Sequence, residues 1–204
     1  YRNKHMKEIK SSRYFVQVKL DGVRYIVINF ENRLWYLSRS DGLILSPLEA
    51  LSDIKYMIDC EETHGLLMSF DMLALNDRSL MKLPYSDRYN SLNKLILELE
   101  ESQPFIDVNP TVPVADIREL TDNIDVKSKS YHIEGLPPFE TDGLIFQHDG
   151  PYVERIDPDV FKWKFPDMLS IDCITSMTDR HMISVQGPKK TILFSDRVTD
   201  EYDP

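Results

Sequence analysis

The chain has 204 residues, 42% hydrophobic and 28% charged, which is enough length for one large domain or one domain plus a small one. No apolar run approaches the ~20 residues of a bilayer span, and no signal-peptide pattern opens the chain. A formal net charge of -10 argues against a broad basic face coating duplex nucleic acid, since phosphate neutralisation dominates such binding, but leaves room for a small cationic cleft. The two cysteines, Cys60 and Cys173, lack metal-ligand spacing and read as reduced core thiols of an intracellular protein. The five histidines (5, 64, 132, 148 and 181) lack ligand spacing as well, and none is assigned a role.

Residues 1 to 13 are polar and basic without a clear period, like the tail of something upstream. Residues 14 to 18 alternate as a half-buried strand, the chain turns at Asp21-Gly22, and Val23 to Phe30 begins a second β run. Lys19 stands at the inner end of the first strand. Desolvation and neighbouring cations are what make a lysine nucleophilic near neutral pH. Gly22 would let a ligand approach the backbone, and Arg24 could clamp a phosphate or ribose oxygen. An ordinary hairpin with a Lys-x-Asp-Gly turn accounts for the same residues. With Leu34 to Leu37 as a third run, the pattern suits an antiparallel meander. Arg39 follows that run, either as a solvated turn residue or aimed at the pocket of Lys19.

Lys55 to Glu62 is a short strand running into Asp59, Glu61 and Glu62, which reads as a polar strand end or as oxygen ligands for a hard divalent cation. Leu66 to Leu75 is apolar except for Asp71. It is a buried strand with Asp71 satisfied by backbone donors, or one that sets Phe70 against a flat nucleobase. Ser86 to Ser102 predicts a surface helix packed on a sheet: Ser86 as cap, Asp87 at the positive end, and Tyr89, Leu92, Leu95, Ile96 and Leu99 on one stripe. Residues 103 to 139, with five prolines, predict one or two strands, a short helix and a long connection. An Asp142-Gly143 turn then leads directly into an apolar strand. In Val160 to Lys164 a period of two puts Lys162 and Lys164 on one face and Phe161 and Trp163 on the other, as an anion site or a lysine-protected edge. Leu169 to Ile174, His181 to Val185 and Thr191 to Phe194 read as further strands opening a second small β domain.

Taken together, six segments resemble the covalent nucleotidyltransferase superfamily of mRNA capping enzymes and polynucleotide ligases. They are Lys19-Leu20-Asp21-Gly22-Val23-Arg24, Ser38-Arg39, Ile58-Asp59-Cys60-Glu61, Ser69-Phe70-Asp71-Met72-Leu73, Asp142-Gly143-Leu144-Ile145-Phe146 and Phe161-Lys162-Trp163-Lys164. Within that superfamily, the Asp-Gly before an apolar strand, and Lys162-Trp163-Lys164 leading through Pro166 to Ser170-Ile171-Asp172, are most similar to capping-enzyme guanylyltransferases. Departures are Cys60 where glycine is more usual, Phe165 inserted before the proline, a short segment before Lys19, and no arginine-rich sixth motif.

The resemblance implies an α+β fold of antiparallel sheets with flanking helices over residues 1–168, and the start of a truncated OB-fold domain over 169–204. It implies a lysyl-GMP intermediate on Lys19, formed from GTP and passed to a 5′-diphosphate RNA end, with Lys162 and Lys164 at the α-phosphate. Arg24 and Arg39 match positions that hold ribose and phosphate, and Phe70 and Ile145 would sandwich the base. Glu61, Asp142 and Asp172 match acidic positions tied to ribose or metal, with Asp59 a lesser candidate, and the ion would be Mg2+ or Mn2+. The implied context is a larger capping protein of viral type, with triphosphatase and methyltransferase modules, in cytoplasm or nucleus; the piece alone would show weak or no first-step chemistry. Rival readings are an ATP-dependent RNA or DNA ligase and a silent nucleotide-binding scaffold.

Overall fold

Every residue of the first strand, β1 (Tyr14–Leu20), is buried except Phe15 and Lys19, which are partly so. A strand covered on both faces belongs in the middle of a sheet. In the computed structural model, which describes residues 9, 13–49, 52–154 and 156–169 and three strands beyond them, it does lie there. The described chain divides into two units, 1–164 and 165–204. In the first unit β1 pairs antiparallel with β12 (Phe139–His148) on one side and β9 (Thr111–Pro113) on the other. Strand β12 also carries β13 (Phe161–Lys164) and β11 (Ser130–Tyr131), and β11 pairs with β10 (Ile124–Asp125).

A second sheet runs β4 (Gly42–Glu49), β3 (Arg33–Ser38), β2 (Val23–Phe30), β5 (Tyr56–Thr63), β6 (Leu66–Leu75), β7 (Arg78–Ser79), with β8 (Ile106–Val108) parallel to β6. The expected meander is thus corrected: β1 and β2 do not pair, and Asp21-Gly22 carries the chain from one sheet to the other. The need for glycine there comes from the chain itself, since a Cβ on Gly22 would lie 2.2 Å from the Glu62 carbonyl oxygen. A turn reading sees only neighbours in sequence, whereas β1 finds both its partners in the distant strands β9 and β12.

Helix α1 (Tyr85–Leu99) buries Tyr85, Arg88, Leu92, Leu95, Ile96 and Leu99. Its leucines pack with Val27, Ile58, Cys60 and Met72 of the second sheet to form one core. Ser86 is not its cap. Pro84 takes that place with no side-chain bond, and the Ser86 N–H is held by Asp149 Oδ1 at 2.8 Å instead. An outside carboxylate at the first turn satisfies an orphan donor and suits the positive end of the helix. A second core joins Val16, Val18 and Leu20 of β1 to Met68, Phe139 and Leu144, closed by Leu120 of the short helix α2 (Arg118–Thr121).

In the second unit, β14 (Cys173–Thr175), β15 (Met182–Val185) and β16 (Thr191–Ser195) form an antiparallel sheet. Cys60 is a free, buried thiol, and the Cys173 side chain lies outside the described residues. No helix among the described residues is long and apolar enough to cross a membrane.

Candidate functional site

The register of three strands sets the site. Lys19 on β1 lies opposite Gly143 on β12, and Gly143 lies opposite Lys164 on β13; two residues further along, Ile145 lies opposite Lys162. Strand side chains alternate, so these residues share one face. Gly143 is required: its φ is +143°, and a Cβ there would sit 2.1 Å from the Trp163 carbonyl oxygen and prevent β13 from closing.

Asp142 belongs to this face only because of an irregularity. The register passes from Lys19 opposite Gly143 to Leu20 opposite Thr141, which leaves Asp142 as the extra residue of a β-bulge. The bulge turns its carboxylate toward the lysines. Lys19 Nζ donates to Asp142 Oδ2, and Lys164 Nζ meets the same oxygen at 2.9 Å. One carboxylate oxygen therefore holds both ammonium groups together. Thr141, itself buried, closes the bulge: its hydroxyl accepts the Gly143 N–H at 3.1 Å and lies 2.8 Å from the Lys19 carbonyl oxygen, to which it donates. Burial pushes the Asp142 carboxyl up, but the hydrogen bonds and charges of Lys19 and Lys164 outweigh it and hold the group below the usual carboxylate range.

Further cations bear on the same place. Partial burial first, then the charges of Lys19, Arg24 and Arg39, push the Lys162 ammonium below the ordinary lysine value, with Glu61 opposing them. Glu61 is pushed up by burial against the pull of Lys19 and Arg24. Arg24 lies opposite Glu61 in the β2/β5 register but grips Asp59, from Nε at 2.8 Å and Nη2 at 2.5 Å. Asp59 is fully buried and takes a third donor, the Tyr152 hydroxyl, at 3.0 Å. The guanidinium carbon of Arg24 stands 5.6 Å from the centre of the Phe70 ring. Phe70 is also a bulge residue, between Ser69 and Asp71 in the β5/β6 register.

Of the residues expected from sequence, Lys19, Lys164 and Asp142 are in direct contact, and Arg24 reaches Phe70. Glu61, Arg39 and Lys162 are coupled through their charges. Phe70 and Ile145, expected to flank a base, lie on different sheets. Asp59, weighed as a ligand, is occupied by Arg24 and Tyr152. Asp71 has a backbone donor, Met72 N–H at 2.8 Å, but its main partner is Arg88, which forks onto it at 2.7 and 2.8 Å. Asp172 lies outside the described residues, and among those described no three His, Cys, Asp or Glu side chains form a metal-holding group. An apolar groove of about 330 Å³, lined by Ile28, Phe30, Trp35 and Leu43, lies on the second sheet with none of these residues in its wall.

Chemically, the arrangement is a cation-rich face with one primary amine hydrogen-bonded to a carboxylate. It suits an anion of several charges and can support attack by the amine with the carboxylate at hand for its proton. Three residues that support this face or the Asp59–Asp71 cluster beside it lie outside the named motifs. Arg88 had a signal, a cation on the apolar stripe of α1; Thr141 and Tyr152 had none beyond their nearness to Asp142.

Comparison with known proteins adds independent observations. Residues 1–166 match the family described as mRNA capping enzyme, catalytic domain. The chain is 23% identical over 208 residues to the mRNA-capping enzyme subunit alpha of Neurospora crassa, covering 84% of this chain and 50% of that protein. It is 27% identical over 210 residues to the corresponding subunit of Yarrowia lipolytica, covering 87% and 52%. The chain thus spans about half the length of these relatives. Among solved structures, a mycobacterial DNA ligase D complexed with ATP and MES has the same fold, with a TM-score of 0.52 at 17% identity, covering 90% of this chain and 65% of that one.

Proposed function

Because the chain belongs to the family of mRNA capping enzyme catalytic domains, we propose that it is the nucleotidyltransferase part of an mRNA guanylyltransferase that carries GMP on Lys19. The observation that carries this reading is the Asp142 carboxylate shared by Lys19 and Lys164, with Lys162 beside them. An amine held at a carboxylate and faced by further ammonium groups is what attack on a polyphosphate requires. Positioning and charge neutralisation do most of the work in such a transfer.

In the first step Lys19 Nζ forms a bond to the α-phosphorus of GTP, the bond from that phosphorus to the bridging oxygen breaks, and pyrophosphate leaves. Asp142 lies within hydrogen-bond reach of the amine to receive its proton. In the second step a terminal oxygen of a 5′-diphosphate RNA end attacks the same phosphorus, the N–P bond breaks, and the lysine is restored. Lys162 and Lys164 serve the α-phosphate, Arg24 and Arg39 the ribose and phosphates, and Phe70 and Ile145 the two faces of the guanine.

A divalent cation fits the residues present, because Mg2+ and Mn2+ sites use one or two carboxylates plus phosphate oxygens rather than a full protein cage. Both ammonium contacts of Asp142 fall on Oδ2, and Glu61, a partly exposed residue, feels the charge of Lys19. These two would hold the ion, which when bound neutralises charge on the triphosphate; Asp172, which the motif resemblance also ties to the metal, lies outside the described residues. The second unit is read as the beginning of an OB-fold domain, with triphosphatase and methyltransferase modules as partners of a protein working in nucleus or cytoplasm.

The test is incubation of the full-length protein with labelled GTP or ATP and divalent metal, followed by denaturing electrophoresis. GTP is expected to label the wild type and not Lys19→Ala. Labelling by ATP instead would replace this reading with a ligase, and labelling by neither would leave a nucleotide-binding scaffold. The 204 residues alone are expected to label weakly or not at all.

A further inference from the structure

We propose that Tyr152 is a positioning residue for the nucleotide: through Asp59, its hydroxyl fixes the orientation of Arg24. The proposal rests on the nucleotide-binding reading above and adds a residue that the six segments do not contain. Asp59 is fully buried, and a buried carboxylate needs donors to offset its lost hydration. Arg24 supplies two through a two-point fork, but its side chain is 48% exposed, so the remaining acceptor capacity of the buried carboxylate is left to another donor. The Tyr152 hydroxyl makes the third bond, at 3.0 Å to Oδ2, and lies 3.4 Å from Arg24 Nη2. One phenol oxygen therefore touches both members of the pair.

Tyr152 is itself well placed to be rigid. Its backbone N–H bonds the Met81 carbonyl at 2.8 Å, and its ring lies 5.9 Å from the guanidinium carbon of Arg88. Arg88 is fully buried, forks onto Asp71, and donates from Nη1 to the Gly150 carbonyl at 2.9 Å, two residues before Tyr152. The contacts run from Asp71 to Arg88, to the 150–152 segment, to Asp59, to Arg24 and to Phe70, which immediately precedes Asp71 on β6. They form a closed ring. Arg24, 48% exposed, presents its outer side to solvent beside Phe70. Burial and Asp59 both push the phenol up, so it stays a donor at any physiological pH.

Two measurements on the full-length protein test this. In a double-mutant cycle on lysyl-nucleotide formation, Tyr152→Phe is expected to lower kcat/KM by ~10-fold through KM, and by less than ~2-fold in an Arg24→Ala background, as residues acting through one another must. In side-chain nitrogen NMR, the Arg24 Nε–H signal, assigned by its loss in Arg24→Ala, is expected to exchange faster with solvent in Tyr152→Phe. Equal losses in both backgrounds, no loss in the wild-type background, or unchanged exchange would each overturn the proposal. If no nucleotide labels the wild type, the guanylyltransferase reading falls, while the exchange measurement, which needs no nucleotide, still decides the role of Tyr152.

Discussion

On β1, β12 and β13 one carboxylate serves two ammonium groups, and a third, Lys162, stands nearby; on β5 and β6 two carboxylates, Asp59 and Asp71, each take a whole guanidinium. The second cluster is balanced even though its two aspartates lie directly opposite one another, a placement that repels unless each has its own cation. Its Asp71–Arg88 half is also the more enclosed, with side chains 6% and 0% exposed against 18% and 34% for Lys19 and Lys164, whereas Arg24 in its other half is 48% exposed. The first has a surplus of cations and an opening to solvent. The difference separates frame from function: the closed, neutral Asp71–Arg88 pair holds strand and helix in place, Arg24 stays partly open on its buried Asp59, and the cluster with a charge surplus is complete only when an anion arrives.

The sharpest way to break that contrast is to remove one cation from each. Arg88→Met strands Asp71 in the interior and is expected to cost ~3–5 kcal/mol, read by urea denaturation, with much of it restored by adding Asp71→Leu. Lys164→Met leaves Asp142 with Lys19 and is expected to cost about 1 kcal/mol or less while labelling with GTP collapses. Equal stability losses would show that the open cluster is framework too. Gly143→Ala comes next. The added methyl meets the β13 backbone at a positive φ, so a loss of ~1–3 kcal/mol in thermal unfolding is expected, together with loss of labelling, because Lys19 and Lys164 face each other across this residue. A variant that unfolds as the wild type does would mean that the strands tolerate separation there.

A smaller effect belongs to Asp142. Its folded-state pKa is lowered, so its contribution to stability is full above the ordinary carboxylate value and is lost as pH falls through the folded one. Asp142→Asn is expected to flatten the acid side of the stability curve over that window by up to ~1 kcal/mol. An unchanged acid limb would show that its two lysines hold it no better than solvent does.

The two clusters were not equally legible in the sequence. The open one lies within short motifs, so Lys19, Asp142, Lys162 and Lys164 could be named, and Lys162 and Lys164 placed on one face, before any pairing was known. Its geometry could not: the bulge that turns Asp142 is visible only against β1, and the apparent hairpin at Asp21-Gly22 hid the separation of β1 and β2 into two sheets. The closed cluster left two traces, Asp71 inside an apolar run and Arg88 on the apolar stripe of α1. Each is a buried charge that demands a partner. Seventeen positions separate them, and nothing local joins a strand residue to one on a helix. The stripe of α1 itself was readable because its period is a property of the helix alone, while its cap was not, because Asp149 comes from the far side of the chain.

The smallest expected effect tests the charge surplus directly. Partial burial, with Lys19, Arg24 and Arg39, lowers the Lys162 pKa, so in the free protein its ammonium carries a penalty that lapses as pH rises through the lowered value toward that of an ordinary lysine. A bound triphosphate reverses the sign by supplying negative charge where cations crowded one another, and so draws a proton back onto Lys162. GTP affinity should therefore fall as pH rises through the lowered value, with net proton uptake on binding. Calorimetry in two buffers of different ionisation heat reads that uptake, which is expected to be a fraction of one proton and to shrink in Lys162→Met. Proton release, or uptake unaltered in that variant, would mean that Lys162 does not face the bound anion and that the surplus lies with Lys19 and Lys164 alone.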